Sequence, residues 1–183
     1  MRRALEYARG VDRPVFAHCE DPRLSAGGAM NEGPTATRLG LRGIPNVAES
    51  TMAQRDIALA GLTGGRLHIT HVSTRETVDA IRIAKAQKIP VTAEAAPHHF
   101  TLDDKAVCDY DPNTKMSPPL RTAADRDAVR EGLADGTLDA IASDHAPHSS
   151  IEKRLEFDLA ANGVIGLETS LSLALKLVHD GVL

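Results

Sequence analysis

Four short apolar runs recur along the chain, and each ends in a segment that carries histidine or aspartate. They are PVFAHC (14–19), RLHITHV (66–72), IPVTAEA (89–95) and LDAIASD (138–144). These runs are β-branched or apolar with little strict alternation, as expected for parallel strands covered on both faces. Segments with helical character separate them. Residues 1–9 carry an apolar stripe. Residues 50–62 start at a candidate N-cap, Ser50, and stop at Gly64-Gly65. Residues 73–88 open with Ser73-Thr74-Arg75-Glu76, a capping-box pattern. Residues 122–134 start at Thr122 and stop near Gly136, and the Leu-rich segment 166–179 is expected to pack on the sheet. This rhythm predicts right-handed βαβ units on a parallel sheet. A doubly wound sheet and a β/α barrel both satisfy it.

The connections separate these two architectures. Segments that follow strands are long (20–49, 96–121 and 145–165), whereas those that precede them are short (64–65, 88–89 and 136–137). Long connections in compact domains are usually functional. Barrel enzymes place their active sites at the C-terminal ends of their strands, where all three long segments lie. A nucleotide-binding doubly wound sheet would show a Gly-rich first turn; Gly27-Gly28 lies inside a long loop and reads as a simple turn. A complete barrel takes roughly 250 residues, so the four units in 183 residues predict an α/β fold that is part of a (β/α)8 barrel. Residues 1–183 are read as one partial barrel domain.

Composition narrows the function classes. The net charge of −4 offers no field for nucleic acid or an anionic membrane surface. With 3% aromatic residues and no Trp, aliphatic side chains must build the core. Two cysteines, Cys19 and Cys108, form no disulfide framework and suit a reducing compartment. No apolar region follows Met1-Arg2-Arg3, and no run is long enough to span a bilayer, so a cytoplasmic location is expected.

The strand ends carry the chemistry. They read Ala17-His18-Cys19-Glu20-Asp21, Ile69-Thr70-His71-Val72-Ser73, Glu94-Ala95-Ala96-Pro97-His98-His99 and Ala142-Ser143-Asp144-His145-Ala146-Pro147-His148. One histidine at a strand end is commonly a hydrogen-bonded structural residue. Imidazole or carboxylate at four consecutive strand ends converges on a barrel mouth. These are the ligand types of catalytic zinc, which keeps one coordination position open for water. Zinc lowers the pKa of that water to about 7, and a neighbouring carboxylate can carry its proton to a leaving nitrogen.

The motifs HCED, HITHVST, VTAEAAPHH, KMSPPLR and SDHAPH, in this order, resemble the dihydroorotases of the amidohydrolase superfamily. The resemblance runs from about Pro14 to about Thr169. Hydantoinases and allantoinases share the barrel and the SDH pattern, whereas HCED and KMSPPLR favour dihydroorotase. The resemblance implies reversible hydrolysis of dihydroorotate to N-carbamoyl-aspartate in pyrimidine synthesis, with one or two zinc ions. It makes His18, His71 and Asp144 metal ligands from the fifth, sixth and eighth barrel strands, with Asp144 also the catalytic base. It makes His148, Ser117 and the Asn162-Gly163 loop contacts for the substrate. Ser117 stands where many relatives carry Asn, and Asn162 where many carry an aromatic residue.

The same resemblance implies what the chain lacks. There is no His-x-His, which the family takes from its first strand, and no counterpart of the fourth-strand carboxylate or modified lysine. The first four strands, the small β-sandwich and the region beyond Leu183 are therefore expected to be missing. The residues before Pro14 read as an internal barrel helix, which favours truncation, and the isolated chain is expected to turn over dihydroorotate poorly. The implied protein partners are aspartate transcarbamoylase or a second copy of the chain. A non-catalytic scaffold subunit is a further alternative, disfavoured because the three ligands are present. His98, His99 and Cys19 are expected to be structural, His68 to face the helices, and Arg38 and Arg42 to be solvated loop charges.

Overall fold

Each apolar run forms a strand in the computed structural model, which describes residues 1–183. The chain order is α1 (Arg2–Gly10), β1 (Val15–Ala17), β2 (Met30–Asn31), α2 (Pro34–Leu39), β3 (Gly43–Ile44) and α3 (Val47–Thr63). It continues with β4 (Leu67–Ile69), α4 (Arg75–Ala86), β5 (Val91–Ala95), α5 (Pro97–Thr101), α6 (Ala123–Ala134), β6 (Ala140–Ile141) and α7 (Ser170–His179). The main sheet has the order β1-β4-β5-β6, and every pairing in it is parallel. Val15, Leu67 and Val91 lie in register across three strands, as do Ala17, Ile69 and Ala93. A short parallel pair, β2 with β3, sits inside the long connection after β1.

One face of the sheet holds the core. Ala17, Leu67, Ile69, Val91, Ala93 and Ala95 pack against Leu5 of α1, Ala53, Ile57 and Ala60 of α3, and Val78 and Ile81 of α4. Small alanines on the strands admit the larger aliphatic side chains of the helices. Complete burial of each Leu, Ile or Val contributes about 1.5–3 kcal/mol. The other face carries the alternate residues Phe16, His68, Thr92 and Glu94. Phe16 is 63% exposed there, and it stacks on His68 with ring centroids 4.6 Å apart. His68 therefore faces away from the helices, contrary to the sequence expectation. Its neighbours Leu67 and Ile69 occupy the helix side, and period-two alternation sends His68 to the opposite one. There it lies 2.8 Å from Thr92 Oγ1 and 3.0 Å from Glu94 Oε2.

Two expected helix starts shift. Helix α3 begins at Val47 after Asn46, which leaves Ser50 buried within the helix. The turn at Pro45-Asn46 starts it, since both carbonyls accept from the amides three residues on. Helix α4 is capped by Thr74, whose hydroxyl accepts from Thr77 N. The pattern beginning at Ser73 does not close as a box, because Ser73 turns to Glu49 and Glu76 to Asn46. Thr122 and Asp125 do form a capping box on α6. Helix α7 packs less than expected: Leu177 is buried, but Leu171 and Leu175 are exposed. Its main packing partner is α5 rather than the sheet.

Candidate active site

The C-terminal ends of β1, β4, β5 and β6 lie side by side and present His18, His71, His98 and Asp144. His18 Nδ1 lies 3.1 Å from His71 Nε2, with the rings edge to face. On its other side, His18 Nε2 lies 2.9 Å from Glu20 Oε2. An ionised carboxylate only accepts hydrogen bonds, so the proton of a neutral His18 belongs on Nε2 and Nδ1 is bare. Glu20 Oε2 also accepts from Ser117 Oγ at 3.1 Å. Burial pulls the proton affinity of Glu20 up, but hydrogen bonds from Ser25, His18 and Ser117 outweigh it and hold its pKa below the usual value.

His71 and Asp144 both have left-handed backbone, with φ of 38° and 47°. Such conformations cost non-glycine residues on the order of 1–3 kcal/mol each and cluster at functional sites. Here they turn a side chain off the end of a strand toward its neighbours. His71 Nδ1 and Asp144 Oδ2 are buried without a hydrogen-bond partner, as is His98 Nε2. Burial lowers the pKa of His71, and nearby His18 lowers it further against the pull of Asp144. Burial raises the pKa of Asp144, and Glu94 one step down β5 adds to this. His98 Nε2 lies 3.8 Å from Asp144 Oδ2. His98 packs edge-on against His99, whose Nε2 donates to Pro118 O at 3.0 Å.

The remaining sequence-predicted residues form an adjoining group. His148 Nε2 donates to Asn162 O at 2.9 Å, and Gly163 N donates to Lys115 O at 2.9 Å. Gly163 has a φ of 151°, and a Cβ there would come within 2.4 Å of Ala146 O and 2.8 Å of His148 Cδ2. Only glycine fits this approach. His148 and Gly163 line a cavity of about 350 Å³ together with His98, Lys153 and Leu173. His98 thus stands where the two groups meet. Ser117 belongs with His18, through Glu20, rather than with His148. No three of the His, Cys, Asp and Glu side chains form a ready metal-holding cluster. His18 and His71 form one pair, and Asp144 stands by His98.

A buried network holds the loops that carry these groups. Glu49 accepts from the backbone amides of Ser73 and Thr74 at 3.1 Å each, from Thr74 Oγ1 at 3.0 Å and from the Ser73 hydroxyl. Arg121, the last residue of KMSPPLR, donates to Ser73 Oγ, Asn31 Oδ1 and Ile44 O. Lys115 and Lys153 clamp the last loop by donating to the carbonyls of Asp158, Ala160 and Ala161. Glu20 and Glu49 were not singled out from the sequence. Glu20 could have been, since it lies inside HCED. Glu49 gives no local signal, because its partners are more than twenty residues away. Arg38 donates to Cys108 Sγ at 3.3 Å, and the Arg42 side chain packs over Gly27.

The Dihydro-orotase-like family model matches residues 1–77. A dihydroorotase of Desulfotalea psychrophila is 64% identical over all 183 residues, which make up 44% of that protein. One from Desulforapulum autotrophicum is 62% identical, with 43% of its length covered. The chain thus spans less than half the length of the curated relatives it matches. Among solved structures, an L-hydantoinase from Arthrobacter aurescens superposes over the whole chain and 42% of its own, with a TM-score of 0.87 and 26% identity. A dihydropyrimidinase from Brevibacillus agri gives 0.83 and 25%, again over the whole chain and 42% of its own. The α/β architecture is part of a (β/α)8 barrel, and the chain is similar over its whole length to dihydroorotases.

Proposed function

We propose that this chain is the half of a dihydroorotase that supplies His18 and His71 as metal ligands and Asp144 as ligand and catalytic base. The reaction is reversible hydrolysis of dihydroorotate to N-carbamoyl-aspartate. The single observation that carries the reading is the approach of His18 Nδ1 to His71 Nε2 at the ends of two neighbouring parallel strands, with Asp144 at the end of a third and both His71 and Asp144 in left-handed backbone.

The donor set fits zinc. Two nitrogens on one tetrahedral zinc, each at about 2.05 Å, lie about 3.3 Å apart. The 3.1 Å between His18 Nδ1 and His71 Nε2 is close to this spacing. Asp144 Oδ2 is buried without a partner, an arrangement that costs about 1–3 kcal/mol unless something satisfies it. His18, His71 and Asp144 would hold one or two ions, completed by ligands outside this chain. Zinc bound there would acidify a water molecule and polarise the ring carbonyl.

The chain's own residues do the rest. Glu20 keeps the proton of His18 on Nε2. Asp144 takes a proton from water and passes it to the departing ring nitrogen. Ser117, His148 and the backbone at Asn162-Gly163 contact the substrate. The protein partners that follow from this reading are aspartate transcarbamoylase or a second copy of the chain, and its location is the cytoplasm.

The test joins this chain to the complementary half-barrel of a close dihydroorotase and follows dihydroorotate hydrolysis. Zinc-dependent turnover is expected, lost at least a thousandfold in Asp144→Asn with the fold retained. Unimpaired turnover by that variant would remove Asp144 from its role. The hydantoinase likeness favours a second reading, cyclic-amide hydrolysis of another ring. Preference for hydantoin over dihydroorotate in the same assay would select it.

A further inference from the structure

We propose that Glu20 is a positioning residue that couples metal binding to substrate binding: it fixes the tautomer of His18 and, through the same oxygen, holds Ser117. This inference rests on the metal reading given above. Glu20 lies two residues beyond His18, and its Oε2 sits 2.9 Å from His18 Nε2 and 3.1 Å from Ser117 Oγ. Ser117 is ninety-seven residues away in sequence. One carboxylate oxygen thus ties the end of β1 to the segment that follows α5.

The chemistry of the pair dictates the direction of control. The carboxylate can only accept, so it draws the proton of His18 to Nε2 and leaves the Nδ1 lone pair aimed at His71, where the ion would sit. A carboxylate behind a ligating imidazole also raises its basicity, and loss of such a partner typically costs about 10–100-fold in metal affinity. Without Glu20, imidazole in water exchanges between both tautomers, and the fraction with the proton on Nδ1 is unable to ligate through that atom. Ser117 would also lose its anchor. A single substitution therefore acts on both halves of the site, although Glu20 itself touches neither ion nor substrate.

The deciding experiment pairs the chain, carrying ¹⁵N-labelled histidine, with the unlabelled complementary half-barrel and has two readouts. Long-range ¹H–¹⁵N spectra report the tautomer of His18 without metal, and competition with a chromophoric chelator reports zinc affinity. The wild-type chain is expected to show His18 protonated on Nε2. Glu20→Ala should give a mixture of tautomers and about 10–100-fold weaker zinc binding. Glu20→Gln, whose amide oxygen still accepts, should retain the Nε2 tautomer and lose less affinity. Ser117→Ala should leave both readouts unchanged. Should Glu20→Ala fail to fold, Glu20→Asp replaces it, since the shorter side chain withdraws the oxygen from His18. The proposal falls if the Nε2 tautomer persists after that withdrawal, or if zinc affinity is unchanged when it is lost. If wild type shows the Glu20-dependent tautomer but binds no zinc, the metal reading fails, and Glu20 retains control of His18 alone.

Discussion

Asp144 and His98 approach each other with atoms that have no other partner, and His99 is fully covered beside them. Burial drives the pKa of His98 down to about 2 and that of His99 to about 3, from an ordinary value of 6.5. Both rings are therefore neutral in the folded chain. Above pH 6.5 they are neutral in the unfolded chain as well and cost nothing. As pH falls from 6.5 toward 3, the unfolded chain takes up protons that the folded chain excludes, so stability declines across that window. His99→Gln should flatten the acid limb of stability against pH in urea titrations; an unchanged limb would mean that another group sets it. Cys19 shows the same physics with the opposite sign. Burial, reinforced by Asp56 and Glu49, pushes its thiol up to about 12, and the side chain is 3% exposed. Under native conditions a thiol reagent should modify Cys108 and spare Cys19 until denaturant is added. Mass spectrometry of the labelled peptides checks this directly.

At the scale of elements, loops are fixed to helices by buried polar groups rather than by apolar packing alone. Glu49 in the first turn of α3 accepts hydrogen bonds from both residues that precede α4, and Arg121 reaches the same hydroxyl from the segment before α6. Removal of one member leaves the others buried and unpaired. Glu49→Ala should therefore destabilise the chain by about 3–5 kcal/mol. Thr122→Ala removes only the cap of α6 and should cost about 1 kcal/mol. Chemical denaturation of the two variants side by side tests the ranking, and equal losses would show that the Glu49 network is not the stronger element.

The whole molecule is a sheet with two open sides. Strands β1 and β6 each pair on one side only, and the face with Phe16, His68 and Glu94 has no layer of helices over it. Helix α7 adds exposed Leu171 and Leu175, and the turn before it adds Leu167. Unpaired parallel edges beside apolar surface favour association. Light scattering of the isolated chain should show concentration-dependent self-association, and addition of the complementary half-barrel should suppress it. Monodisperse monomer at high micromolar concentration would contradict this.

Periodicity and punctuation made much of the fold legible. Apolar runs of the right length gave the four strands, Gly64 the stop of α3, and Thr122 the start of α6, because each rests on interactions within a few residues. The short helix α5 leaves no mark in the sequence, since five residues carry too little pattern. The start of α3 was misplaced because its first turn is set by Pro45-Asn46 and a distant network. Alternation within β4 puts His68 on the face opposite Leu67 and Ile69, whereas His71 lies past the strand end in left-handed backbone and gives no guide to it. For the proposed site, sequence by itself determined that His18, His71, His98 and Asp144 stand at or just past strand ends, because a parallel sheet puts every such end on one side. Tertiary structure alone decided that Glu20 joins His18 to Ser117, that Glu49 holds the next loop, and that His98 divides two groups of site residues. Those relations depend on distances between residues far apart in sequence, which only the packed sheet and its loops fix.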